Sequence, residues 1–452
     1  MTTDITTTDA PHAPLALNTF AFIIPQEKFC YRKGGRWAIN ELVSKEGILN
    51  HLLAVGWDSE AAIACLKNRE YPKVHGAEIA PNEGETFFDD SGLEYLNTWV
   101  PPTLTPEPGE YPTIERIINR LTNHDEHGAE WLCHWLALKV QQPAIVPKVA
   151  VVFTTKPAGG KGTLAMIMRL LLGPENCEVI ESGALESRFN ARWARKLFVL
   201  ADEVLTSESY KDVSNRLKVL IDGDTIELEG KGENQITVRN RLAWMFASND
   251  DVAPVIVEEG DRRYSVFANH DPVPAEWKTE LNGCFEVDRR TPTAAFMAEI
   301  RAFYHDLLHL EVDRALVAAP YENADRRELI EANLPGHRMF FQYVDDVGID
   351  GLLERAVAHG DWTLTRNRDE WDHKEAGLSA QMVYACYVQY CRDQGAKPLK
   401  SNRFGVAARK HGWRKERVGA ARTYCYVIRR SAASGTPVAT TPGNFPQTGA
   451  EA

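Results

Sequence analysis

The 452-residue sequence predicts an α/β protein built on a five-stranded parallel sheet in three layers. Three observations predict it. Five short, β-rich apolar runs, at 148–153, 177–180, 197–201, 242–247 and 264–267, alternate with helical stretches. Unbroken apolar runs of that length suit strands covered on both faces, and the intervening helices supply the covers. A glycine-rich turn follows the first run, and an acidic pair closes the third. The composition agrees with a globular chain: 44% hydrophobic, 25% charged, formal net charge −12. No stretch approaches the roughly 18 apolar residues of a membrane-spanning helix. The start of the chain has neither a basic region nor an apolar one, so no secretory signal is expected. Eight cysteines without a CxxC spacing fit reduced thiols, and the expected location is the cytoplasm of a bacterial or phage-infected cell.

Along the chain, residues 1–16 lack apolar periodicity and 431–452 have almost no core-forming residues, and both are expected to be disordered. Residues 17–100 read as a mixed α+β segment, with strands near 20–24 and 86–88 and a helix near 48–55. Pro101, Pro102, Pro106, Pro108 and Pro112 mark a linker at the start of a helical collar over 101–146. Its stretch 130–138 is apolar nearly all round, as a buried helix requires. The sheet occupies 147–270. Residues 271–375 read as helical, with helices at 294–310 and 324–332, and 376–430 returns to helix, helix and strand.

The chemistry begins after the first run. Pro157, Ala158, Gly159, Gly160, Lys161, Gly162, Thr163 and Leu164 form a turn that leads into a helix over 164–172. Glycines let backbone N–H groups converge on phosphate oxygens, the helix N-terminus adds partial positive charge, and Lys161 can reach the outer phosphates. The hydroxyl that would hold Mg²⁺ arrives one residue late, at Thr163, with Gly162 in the usual place. Asp202 and Glu203 end the third run, where ligands gather in open α/β sheets. Asp202 is expected to hold Mg²⁺ and Glu203 to activate the attacking water. Asn249 follows the fourth run and can orient that water against the terminal phosphate. Arg262 and Arg263 precede the fifth run, and one of them can stabilise charge on the transferring phosphoryl group, often across a subunit boundary.

This ordered set resembles the superfamily 3 helicases, an AAA+ branch found in viral, phage and plasmid replication proteins. It is most similar to the primase-helicase-like domain of phage and mobile-element proteins. The likeness is carried by Leu96-Asn97-Thr98-Trp99, by Trp135-Leu136-Ala137 before Gln142-Pro143, by Gly160-Lys161-Gly162-Thr163, by Asp202-Glu203 and by Asp261-Arg262-Arg263-Tyr264. The resemblance implies an AAA+-like phosphate-loop core using ATP and Mg²⁺, and a homo-oligomeric ring, typically a hexamer. It implies ATP clefts between subunits, with Lys218 reaching the neighbour's ATP. A β-hairpin between the acidic and sensor strands would point into the channel, and Lys231, between Gly230 and Gly232, stands where the family grips single-stranded or forked DNA.

From Lys397 to Arg430 eleven basic residues face one acid, Glu416, which leaves the rest of the chain near −22. That local charge resembles the DNA-binding face of a winged helix, with a recognition helix over 402–411 placing Arg403, Arg409 and Lys410 outward and Arg414 and Lys415 on the hairpin beyond. The N-terminal ~95 residues are too short for a primase domain as the resembling proteins carry it, so a helicase without primase is expected, with a separate primase or polymerase as a possible partner. His124 and His127 have no third ligand nearby and read as a helix start. Two other readings stay open at this point. A nucleotide kinase shares the loop but places it at the chain start. An origin-binding or defence-related DNA binder would use ATP for assembly without unwinding.

Overall fold

A computed structural model describes residues 19–202, 210–230, 235–249, 254–332, 334–358, 375–418 and 423–429. The expected disordered ends lie outside those residues. The described residues fall into two compact units, one within 1–332 and one within 333–452. The helical region expected over 271–375 is divided by that boundary.

The first unit opens with β1 (Phe20–Ile23), β2 (Lys28–Lys33) and β3 (Arg36–Trp37), which join β4 (Lys73–Val74) in the order β3-β2-β1-β4. Gly34 and Gly35 both take positive φ in the β2–β3 turn, the conformation a tight hairpin demands and L side chains resist. Helices α1 (Lys45–Ala54) and α2 (Ser59–Asn68) are capped by Ser44 and Asp58, whose side chains accept from backbone N–H groups of the first turn. A second small sheet has the order β5-β7-β6, from β5 (Gly76–Glu78), β6 (Thr86–Phe88) and β7 (Glu94–Asn97).

The collar is a pair of helices, α3 (Pro112–Leu121) and α4 (Glu126–Gln141). Asn123 and His124 take positive φ between them, and Asp125 caps α4 by accepting from Gly128 N–H. Trp131, Leu132, Trp135 and Leu136 are buried, as the apolar stretch predicts. Lys139, on the same helix, is fully buried. Its ammonium donates to the carbonyls of Pro143 (2.6 Å), Ile145 (3.0 Å) and Arg241 (2.6 Å). Burial pushes the amine down to about 7, but only the ammonium form has a third N–H for the third carbonyl. Lys139 therefore ties the collar to the chain entering the sheet. Replacing it with Met leaves three carbonyls without that donor, and each buried unsatisfied group costs about 1–3 kcal/mol. Lys139→Met is expected to destabilise the first unit by at least ~3 kcal/mol in denaturant unfolding.

The sheet has five parallel strands in the order β14-β8-β13-β10-β9. These are β8 (Ala150–Thr155), β9 (Cys177–Glu181), β10 (Phe198–Asp202), β13 (Ala243–Ser248) and β14 (Tyr264–Asn269). Along β8, Val151 and Phe153 join one core cluster while Ala150 and Val152 join the other, the alternation expected of a strand covered on both faces. The collar, α5 (Lys161–Leu172), α8 (Ala275–Gly283) and α9 (Ala294–His309) contribute to the first cluster. The second contains residues of α7 (Tyr210–Asp222) and of the hairpin formed by β11 (Thr225–Leu228) and β12 (Ile236–Arg239). A short helix, α6 (Ser182–Glu186), follows β9, while α10 (Arg314–Val317) and α11 (Ala324–Ala332) complete the unit.

In the second unit, α12 (Gly336–Ala358) bends at Gly348, which has positive φ. Strand β15 (Glu375–Ser379) then precedes α13 (Ala380–Asp393), α14 (Ser401–Lys410), β16 (Arg414–Val418) and β17 (Thr423–Arg429), in a sheet ordered β15-β17-β16. The sequence places 378–392 in one helix. Instead Leu378 pairs with Tyr426 in the sheet, and Ser379 caps the helix by accepting from Met382 N–H.

Candidate functional site

The carboxyl ends of the parallel strands gather the predicted phosphate-site residues. β8 runs into Lys156-Pro157-Ala158-Gly159-Gly160, and α5 begins at Lys161. The turn is shaped by two requirements. A Cβ on Gly159 would lie 2.6 Å from the Thr155 hydroxyl, and Gly160 has φ +107° with Ile117 against it. Ala158 also takes positive φ, and the Trp277 indole N–H donates to its carbonyl at 3.0 Å. Trp277 on α8 thus holds the turn from a helix more than a hundred residues away.

Lys161 is buried, and its ammonium donates to Asn249 Oδ1 at 2.7 Å. Parallel pairing makes this contact possible: Ser248 on β13 is level with Thr154 on β8, so both chains leave the sheet together. Asp202 pairs with Ala247 at the same level, one strand further out. At the usual strand spacing that places its backbone roughly 10 Å from β8. Lys161, Asn249 and Asp202 therefore share one end of the sheet. Thr163 is buried in the first turn of α5, while a Cβ on Gly162 would meet nothing within 4 Å. Pro157 and Ala158 are exposed, and Leu164 is buried in the core beneath. Glu203 lies outside the described residues.

Arg262 and Arg263 are at the opposite end. They precede β14, and Ala150 N–H at the start of β8 donates to the Arg263 carbonyl. The structure does not bring them to the phosphate turn of their own chain. Arg263 is held by Asp222 (2.7 Å) and by Asp261 (3.2 Å). Arg262 reaches Asp222 only at 3.5 Å, and its side chain is 78% exposed. Lys218 sits one turn before Asp222 on α7 and pairs with Glu258 at 2.7 Å. The three cations expected to serve a neighbouring subunit thus share one neighbourhood, with Asp222 and Glu258 as holders that no local sequence pattern marks. Burial raises the Tyr264 phenol well above its ordinary range beside them.

The expected hairpin is present as β11–β12; Lys231, which falls between these strands in the sequence, lies outside the described residues. Its base is held through Arg239, whose N–H donates to Glu78 and whose guanidinium pairs with Asp90 at 3.2 Å. In the second unit Phe404 and Ala408 are buried while Arg403, Arg409 and Lys410 are exposed, as the periodicity of α14 predicts. Arg414 and Lys415 are exposed on β16, the Lys415 ammonium 5.1 Å from the Tyr424 ring centroid. Among the described residues no group of three His, Cys, Asp or Glu side chains could hold a metal ion, and no helix is long and apolar enough to cross a membrane.

The class defined by this arrangement is an α/β protein with a parallel five-stranded sheet and a glycine-rich strand-to-helix turn. Residues 153–263, which contain that turn, match a family of unknown function, DUF5906. The DNA primase-polymerase of Nitratiruptor phage NrS-1 is 23% identical over 342 residues, covering 73% of this chain and 45% of that protein. The chain thus matches less than half the length of that relative. Two apo structures of the NrS-1 C-terminal region share the fold. One has a TM-score of 0.66 at 19% identity, covering 93% of this chain and 100% of that one. The other has 0.65 at 17% identity, covering 91% and 96%.

Proposed function

We propose that this chain is a subunit of an ATP-dependent DNA helicase, of the ring-forming superfamily 3 type, that serves replication of a phage or mobile element. The observation that carries the reading is the Lys161–Asn249 contact at the ends of adjacent parallel strands, with Asp202 level on the next. A lysine after a glycine-rich turn, a carboxylate and a polar sensor at one sheet end are the parts that phosphoryl transfer needs. The similarity to a phage primase-polymerase, confined to part of that protein, supports a replication setting.

In this reading the turn's backbone N–H groups and Lys161 bind the ATP phosphates. Thr163 and Asp202 supply oxygen donors only, which suits Mg²⁺; when bound, that ion would neutralise charge on the phosphates. Glu203 orients the attacking water, and Asn249 holds Lys161 and meets the terminal phosphate. Lys218 and one of Arg262 and Arg263 act in the cleft of the neighbouring subunit in a ring, typically a hexamer. The β11–β12 hairpin, with Lys231 from the sequence between its strands, grips the DNA strand. The α12-β15-α13-α14-β16-β17 order supports a winged-helix reading of the second unit, with α14 as recognition helix.

The direct test is ATP hydrolysis and strand separation on forked DNA. Asp202→Asn is expected to lower DNA-stimulated turnover at least ~100-fold, and unchanged turnover would remove Asp202 from the mechanism. Charge reversal of Arg403 and Arg409 is expected to weaken DNA binding and to flatten its dependence on salt, as loss of phosphate contacts does. An unaltered salt slope would take α14 away from the DNA.

A further inference from the structure

A second cleft lies away from the phosphate turn. It has a volume of about 720 Å³ and opens between the β2–β3 hairpin, the segment after β7 and the amino ends of β9 and β10. It sits beyond the C-terminal end of α5, and α5 with twelve residues is about 18 Å long. The turn at Lys161 and this cleft are therefore separate sites.

Both walls are prebuilt. Asn97, itself buried, accepts from Ala80 and Trp99 N–H and donates to the carbonyls of Ala80, Glu83 and Gly84. Asn176, also buried, donates to Val100 O at 2.6 Å and accepts from Val100 N–H at 3.2 Å. These bonds fix the segment that carries Thr98 and Trp99. Across the cleft stands Trp37, with the Arg32 guanidinium 4.7 Å from its ring. The lining holds five basic side chains against three carboxylates, in a chain whose net charge is −12. The Trp37 indole N–H and the Thr98 hydroxyl are buried and have no protein hydrogen-bond partner. A rigid cleft that combines indole surface and guanidinium groups suits a ligand that is flat at one end and anionic at the other.

We propose that this cleft binds one nucleotide unit, with the base against Trp99 and the phosphate on the guanidinium rim formed by Arg36 and Arg195. The unit is either a free nucleotide or one residue of a DNA single strand. The three carboxylates argue against a polyanion laid along the whole cleft. A single unit asks only for local charge, and Arg36, already paired with Glu175 at 2.5 Å, is half exposed at the rim. The proposal does not depend on what the phosphate turn does.

The test is photo-crosslinking of the full chain with iododeoxyuridine monophosphate and with a short oligothymidylate carrying one iododeoxyuridine, followed by peptide mapping. Crosslinks are expected on the peptides that contain Trp37 or Trp99. Arg36→Ala and Trp99→Ala are each expected to weaken probe binding about ten-fold, the scale of one stacked base or one charged contact. Trp99→Phe should retain binding, since a phenyl ring still stacks, and it separates stacking from folding. Capture of the monophosphate identifies a free nucleotide as the ligand; capture of the strand alone identifies DNA. Absence of crosslinks at both peptides, or binding unaltered in Arg36→Ala with an unchanged melting curve, would overturn the proposal.

Discussion

Lys161→Ala is expected to lower DNA-stimulated ATP turnover by more than ~100-fold and to weaken ATP binding, with little change in folding. The ammonium follows the glycine-rich turn at the start of α5 and donates to Asn249 Oδ1 at this sheet end. Removal takes away a buried positive charge at this sheet end, while the packing of α5 rests on Leu164, Ile167, Met168 and Leu171. ATP hydrolysis with and without forked DNA, alongside a melting curve, separates the two effects. Turnover that survived would show that the turn is a structural corner rather than a phosphate cradle.

Arg262→Ala is expected to leave ATP binding intact and to lower turnover by ~10³-fold or more, the range for an arginine supplied to a phosphoryl group. Under the proposed reading Arg262 suits that role better than Arg263. Arg263 spends its guanidinium on Asp222 and Asp261, whereas Arg262 has a single long contact and faces solvent. Arg263→Ala is expected to act through stability instead, because it strips the buried Asp261 carboxylate of a partner. Binding of a fluorescent ATP analogue, read beside turnover, distinguishes the two arginines. Equal loss of both quantities in Arg262→Ala would take that residue out of the transfer step.

The sheet was legible because strands covered on both faces are written as unbroken apolar runs. Its limits were less so. β8 begins at Ala150 rather than at Lys148, since Lys148 takes positive φ and pairs with Asp224. Leu378 and Ser379 read as helix because the helix continues their pattern, but strand pairing claims them first. Lys161, Asp202 and Asn249 could be placed together from sequence, because parallel strands deliver their carboxyl ends to one edge. Trp277 could not: its contact with Ala158 is made by the fold, and no local pattern distinguishes it from any buried tryptophan. Asp222 carries no local signal, and its part in holding the arginines shows only once the chain is folded. Glu203 and Lys231 fall outside the described residues and rest on the sequence argument alone.

Completion of each nucleotide cleft by two copies of the chain is tested most directly by mixing two inactive variants. Lys161→Ala subunits keep their arginine but lack a working cleft; Arg262→Ala subunits keep the cleft but lack the arginine. Mixed under conditions where subunits exchange, they are expected to recover ATP turnover on forked DNA, because some interfaces then join an intact cleft to an intact arginine. A mixture no more active than either variant alone, with exchange verified by mass, would contradict the account.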